Sequence, residues 1–156
     1  MKRLSTLLVT AICLAVVPSA WSQFEDERAV QLTRSAIQAE RQAILATNLE
    51  LSEKESAIFW PLYEEYRNAL ESAINTRVDL HNQYFASYET LTDKEAIALL
   101  NKHIAWEQEV LKVRSTYAKK MSKALSGKTA ARFFQIENKM DIIVEYELAG
   151  EIPLIK

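Results

Sequence analysis

Glycine and proline are almost absent from this chain, and their scarcity limits the folds that it can adopt. Glycine occurs only at positions 127 and 150, and beyond residue 22 proline occurs only at 61 and 153. Because these two residues mark most turns, long stretches without them favour long helices. No stretch alternates apolar and polar residues as a half-buried strand does. The sequence therefore predicts an all-α fold.

Apolar periodicity predicts four helices over residues 25–46, 53–88, 93–124 and 128–149. Only a short turn joins the second helix to the third, so these two should form a long antiparallel hairpin flanked by shorter N- and C-terminal helices. Pro61 is expected to kink the second helix, because proline removes a backbone hydrogen bond there.

The third helix carries two apolar seams. One contains Ile97, Ile104, Leu111 and Ala118, and the other contains Trp106, Val110, Val113, Tyr117 and Met121.

A phrase at the start of the second helix recurs at the start of the fourth. LSEKESAIFWPLYEEY at 51–66 and LSGKTAARFFQIENKM at 125–140 share Leu, Ser, Lys, Ala and Phe at matching places, and a weaker copy, LTDKEAIALL, stands at 91–100. The second residue of each copy can cap a helix, and the copies at 51–66 and 91–100 also have the spacing of a capping box. The predicted caps are Ser52, Thr92 and Ser126, with Glu55 and Glu95 completing the boxes.

Two adjacent aromatic pairs follow these caps, Phe59–Trp60 and Phe133–Phe134. Neighbouring side chains on a helix point about 100° apart. One member of each pair should therefore face the core, while the other covers a helix end or meets a partner.

Residues 1–22 are typical of a secretory signal peptide. Lys2 and Arg3 form a basic start, an apolar run follows over 7–17, and Ala-Trp-Ser at 20–22 suits a small-x-small cleavage site. Cleavage after Ala20 is a close alternative. We therefore expect a periplasmic protein with a single helical domain over residues 23–156.

The remaining chain would lack cysteine, because the only cysteine is Cys13. Ile12 before it is a poor match to a lipidation motif, so a lipoprotein is disfavoured. Removing Lys2 and Arg3 from 19 basic residues leaves 17 against 21 acidic ones, a formal charge of −4. This charge argues against nucleic acid as a partner.

No residue set has the pattern of a catalytic or cofactor site. A chain with two glycines has no phosphate-binding loop, and no nucleophile stands beside a histidine base. We expect no enzyme activity and no cofactor. His81, His103 and Glu107 are weak candidates for a metal site, because the hairpin would bring the two histidines together. Packed or solvated histidines are the preferred interpretation.

The signal peptide, the long central hairpin, the short flanking helices and the repeated Leu-Ser/Thr phrases resemble the Spy/CpxP family of periplasmic stress proteins. They resemble more distantly the periplasmic sensor domains of CnrX-like metal-resistance proteins. The family phrase ends in glutamine, where this chain has Glu55, Glu95 and Thr129. The resemblance implies a cradle-shaped antiparallel homodimer that acts as an ATP-independent chaperone or an accessory protein of envelope stress signalling.

On this interpretation the partners are unfolded or envelope protein clients, or a membrane signalling protein. The expected binding surface consists of six aromatic residues: Phe59, Trp60, Phe85, Trp106, Phe133 and Phe134. The flanking helices are too short to cover the hairpin, so Val78, Tyr84, Phe85 and Trp106 should be exposed or covered elsewhere. A homodimer is favoured over a compact four-helix bundle that covers every stripe internally. The alternative function is a ligand or metal sensor that acts through a membrane signalling partner.

Overall fold

The computed structural model of the protein describes the backbone of residues 20–156 and the side chains from Ser35 onward. Within this range the chain forms four α-helices and no strand: α1 (Ala20–Leu49), α2 (Glu53–Ser87), α3 (Asp93–Ala124) and α4 (Gly127–Glu151). The predicted all-α fold is confirmed, and the ends of α2, α3 and α4 lie within two residues of their predicted places. The predicted signal peptide lies, except for its last three residues, outside the described range.

The chain divides after Glu40 into two compact units. In the first, the described residues belong to α1, and the side chains of 35–40 are mostly exposed. The second unit, Arg41–Lys156, contains the last turns of α1 with α2, α3 and α4. The single domain over 23–156 stays a prediction. No helix in the described part of the chain is long and apolar enough to span a membrane.

Helices α2 and α3 form the predicted antiparallel hairpin. Near the turn, the Lys102 ammonium donates to the side chain of Gln83 at 2.9 Å. At the opposite end, the Lys120 ammonium donates to Glu65 at 3.0 Å. As the residue number increases along α3, the number of its partner on α2 decreases, so the two helices run antiparallel. At 35 and 32 residues, both helices extend about 50 Å at 1.5 Å per residue. Helix α2 continues through Pro61, and the predicted kink stays a prediction.

Side-chain caps fix where three of the helices begin. The backbone N–H of Glu55 donates to the Ser52 hydroxyl at 3.3 Å, and the backbone N–H of Ser52 donates to the Glu55 carboxylate at 3.1 Å. Thr92 and Glu95 repeat this reciprocal arrangement before α3. Ser126 accepts from the N–H of residue 129 before α4. These contacts confirm all three predicted caps and both capping boxes. Each cap satisfies a backbone N–H group that has no partner within the first turn of its helix.

The core lies at the end of the hairpin remote from its turn. Aromatic rings from three helices meet there edge to face, with Phe59 and Phe133 5.3 Å apart and Tyr66 and Tyr117 5.6 Å apart. The last turns of α1 contribute Leu45 to this core, and all members of the cluster are aliphatic or aromatic. Toward the hairpin turn few side chains are buried. The hairpin therefore extends well beyond its own hydrophobic core.

Candidate functional site

Two of the six aromatics predicted to bind a client are core residues. Phe59 and Phe133 are fully buried and contact each other. Neither ring reaches solvent in the folded chain, so they pack in the core, and their part in client binding stays a prediction. The prediction that one member of each adjacent pair faces inward is confirmed.

The other member of each pair is partly accessible. Trp60 contacts Phe59 with ring centroids 5.0 Å apart, and Phe134 contacts Phe133 at 4.7 Å. Both lie on the edge of the core and remain partly exposed. They can present one ring face to a partner while the other face supports the core.

Trp106 is held in a fixed orientation on the hairpin. Its indole N–H donates to the backbone oxygen of Ala73 at 2.8 Å, and the Arg77 guanidinium lies 5.3 Å from its ring centroid. The hydrogen bond satisfies the only polar group of the indole. Trp106 therefore lines a groove of about 400 Å³ between α2 and α3 with a largely apolar surface.

Phe85 is the most exposed of the six aromatics, with 45% of its surface accessible. Ile74 and Val78 precede it at spacings of eleven and seven residues and are exposed as well. Because these spacings return to one side of a helix, the three side chains lie along one side of α2. We call Ile74, Val78 and Phe85 the α2 strip.

Two residues expected to need cover obtain it within the chain. The Tyr84 hydroxyl donates to the backbone oxygen of Pro153 at 2.6 Å, so the segment after α4 covers this ring in part. Trp106 is half-buried against α2. Val78 and Phe85 remain exposed, as we predicted from the short length of the flanking helices.

A second apolar surface on α3 was not assigned to the site from the sequence. It consists of the exposed aliphatic residues Ile97, Leu100, Ile104 and Leu111, which we call the α3 row. The α3 row contains most of one predicted seam, and the other seam packs into the core through Val113, Tyr117 and Met121. Leu111 is 64% exposed. Its spacing from Ile104 and Ile97 is the heptad signal that could have identified this row.

The second unit does not form a compact bundle that covers every apolar stripe internally. The α2 strip and the α3 row leave seven large apolar side chains exposed on one hairpin. Apolar surface arranged in continuous strips usually marks an interaction site.

The weak metal candidates do not assemble into a site. His103 Nε2 lies 3.7 Å from Glu107 Oε1, but both side chains are half exposed. Burial lowers the pKa of His81, and the nearby Arg77 and His103 lower it further. Among the described residues no group of three or more histidine, cysteine, aspartate or glutamate side chains could hold a metal ion. The geometry gives the metal-sensor alternative no support.

A buried ion cluster was missed at the sequence level. Glu137 is only 1% exposed, and its Oε2 lies 3.3 Å from Arg41 and 3.7 Å from Arg67. The signal was its spacing, because it stands four residues after Phe133 and three before Met140 on the core-facing side of α4.

Comparisons of the chain with models of protein families, with curated proteins and with solved structures found no match. The described residues 35–156 include the α2 strip, the α3 row, the groove beside Trp106 and the buried ion cluster. The first three suit binding of an apolar partner by contact.

Proposed function

We propose that this protein is a periplasmic, non-enzymatic binding protein of the Spy/CpxP type, acting as an ATP-independent chaperone or as an envelope-stress accessory protein. The observation that carries the proposal is the pair of exposed apolar surfaces on the hairpin, the α2 strip and the α3 row. The sequence resemblance to that family points the same way. Unfolded proteins expose apolar segments, which such surfaces can shield from water.

Clients are proposed to bind along the α2 strip and, separately, in the groove where α2 faces α3. Phe85 supplies the most accessible aromatic ring of the strip, and Trp106 supplies an apolar wall of the groove, held by its hydrogen bond to α2. The same groove is lined by Lys102, Asp79 and Glu109. Charged groups beside apolar ones favour weak contacts with many sequences, which suits binding and release without ATP.

The α3 row is proposed to pair with the α3 row of a second copy. Ile97, Ile104 and Leu111 recur every seven residues, the spacing with which two helices pack side by side. An antiparallel homodimer would cover this row on both copies. It would leave the α2 strip accessible to clients.

The chaperone activity is tested with purified residues 23–156 and a chemically unfolded model protein. At a near-equimolar ratio and without ATP, we expect clear suppression of aggregation measured by light scattering. A folded preparation with no effect on aggregation would contradict the proposal. A single envelope protein captured by crosslinking would then point to one dedicated partner.

Phe85→Ser is expected to reduce this suppression several-fold while leaving the melting temperature nearly unchanged, because the ring is exposed and the fold does not depend on it. Ile142→Ser is the matched control, since Ile142 is similarly exposed but lies on α4 outside the α2 strip. Equal suppression by both variants would remove the α2 strip from the client site.

Leu111→Lys is expected to convert a homodimer to a monomer in sedimentation experiments, because a charge would enter the proposed apolar interface. Helicity should be retained, since Leu111 is mostly exposed within one copy. The control is Lys112→Ala beside it. A monomeric parent protein, or a dimer that Leu111→Lys leaves intact, would contradict the proposed interface.

A further inference from the structure

Glu137 is a buried carboxyl group that the proposed function does not use. Charged groups from all four helices surround it: Arg41 from α1, Arg67 from α2, Arg114 from α3, and Asp141 one turn further along α4. Three arginines and two carboxyl groups thus share one region of the second unit.

The shortest contacts in this cluster belong to Asp141 and not to Glu137. Arg41 donates to Asp141 Oδ1 at 2.6 Å, and Arg114 donates to Asp141 Oδ2. Glu137 receives longer contacts, all on Oε2, and its buried Oε1 has no hydrogen-bond partner within the described part of the chain. A buried carboxylate needs hydrogen bonds to both oxygens to offset the loss of water. The geometry therefore favours the neutral form of Glu137.

Two buried phenols share this part of the core with Glu137. The hydroxyls of Tyr63 and Tyr66 are buried and form no hydrogen bond among residues 35–156. Burial raises the pKa of both phenols, and the charge of Glu137 raises it further. A phenol can accept from a carboxylic acid O–H or donate to a carboxylate, so these hydroxyls are compatible with a neutral Glu137. If Glu137 is neutral, Arg41 and Arg114 still have Asp141 as a counter-ion.

We propose that Glu137 is a proton-binding site through which the folded chain becomes more stable as the pH falls from neutral to mildly acidic values. Its elements are a carboxyl group at the junction of four helices, a competing carboxylate that holds two of the arginines, and two buried phenols. The proposal concerns stability alone and does not depend on client binding.

The direction of the effect follows from linkage. Burial raises the pKa of Glu137 above its ordinary value of 4.5, an effect larger than the lowering by Arg41 and Arg67. Between that ordinary value and the raised one, the folded chain binds more protons than the unfolded chain. Stability then increases as the pH falls, by up to about tenfold per pH unit in the unfolding equilibrium constant.

Other groups titrate in or near this range with opposite sign. Burial lowers the pKa of His81, so its protonation opposes folding as the pH falls below 6.5. Hydrogen bonds from Ser52 and Thr92 lower the pKa of Glu55 and Glu95, whose contributions are lost only below 4.5. A comparison of variants at the same pH removes these shared contributions.

The test is urea unfolding of the folded chain and of Glu137→Gln between about pH 5 and pH 8. Glutamine resembles the neutral acid, so the wild-type protein should gain stability relative to this variant as the pH falls. Glu145→Gln is the control on the same helix, because Glu145 is half exposed beside Arg77. It should retain the wild-type pH dependence. Parallel curves for the wild-type protein and Glu137→Gln would overturn the proposal.

A direct readout does not require a variant that folds. The carboxyl-carbon NMR signal of Glu137 in the wild-type protein should titrate with a midpoint above 4.5, the ordinary pKa of a glutamate side chain. A midpoint below this value would overturn the proposal, whatever the behaviour of Glu137→Gln. Neither measurement involves a client, so either result leaves the chaperone proposal to its own test.

Discussion

Phe133→Ala is expected to lower the free energy of unfolding by about 3–5 kcal/mol, the usual cost of removing a buried phenylalanine ring. The ring lies 5.3 Å from that of Phe59 and 5.6 Å from that of Tyr66, and it is fully buried. Its loss would leave a cavity where α2 and α4 meet. Small domains have only about 5–15 kcal/mol of stability in total. Urea denaturation followed by circular dichroism measures the change.

Phe134→Ala is the matched control, because it removes the same ring one position further along the helix. Phe134 is partly exposed and touches Phe133 and Tyr66 on one side. We expect a clearly smaller loss of stability. Equal losses would mean that the two phenylalanines are not divided between core and surface in solution.

The positions of the helices were predictable because the signals that set them are local. Ser52 with Glu55 and Thr92 with Glu95 are three residues apart, so the sequence shows both partners of each capping box at once. The scarcity of glycine and proline left few other places for a helix to end. The α2–α3 hairpin followed from the shortness of the connection between its helices.

Which apolar residues face the core was less predictable. The two seams of α3 are similarly apolar, and periodicity shows that each lies on one side without showing which side packs. The core forms where the ring of Tyr117 meets that of Tyr66 on α2, a contact between residues 51 positions apart. The other seam was left as the exposed α3 row. Periodicity therefore could not show that this aliphatic seam, and not the other, would be exposed.

The ion cluster escaped prediction for a related reason. A glutamate on a helix is usually solvated, and only a distant counter-ion makes its burial possible. The closest contact of Glu137 is with Arg41, 96 positions away. The helical spacing of Glu137 from Phe133 placed it on the core-facing side of α4. That spacing could not identify the arginines.

Arg41→Met is expected to lower the free energy of unfolding at neutral pH by about 3 kcal/mol, because removing one partner of a buried ion pair leaves the other charge uncompensated. Only 11% of the Arg41 side chain is exposed, and the guanidinium contacts both Glu137 and Asp141. Methionine retains the apolar bulk of the side chain, so the loss reports mainly on the charge. Chemical unfolding near pH 7 measures it.

The two carboxyl groups should not contribute equally to this loss. Burial by itself would lower the pKa of Arg41, but its hydrogen bond to Asp141 and the charges of Asp141 and Glu137 raise it. Burial raises the pKa of Glu137, so the charge of Arg41 is favoured mainly by Asp141 while Glu137 favours its neutral form. In Arg41→Met, Glu137 can therefore bind a proton, and the loss of stability should shrink as the pH falls toward about 5. Adding Glu137→Gln to Arg41→Met should recover part of the stability at neutral pH. If Arg41→Met instead costs the same stability at neutral pH and near pH 5, with or without Glu137→Gln, then Asp141 alone pairs with Arg41.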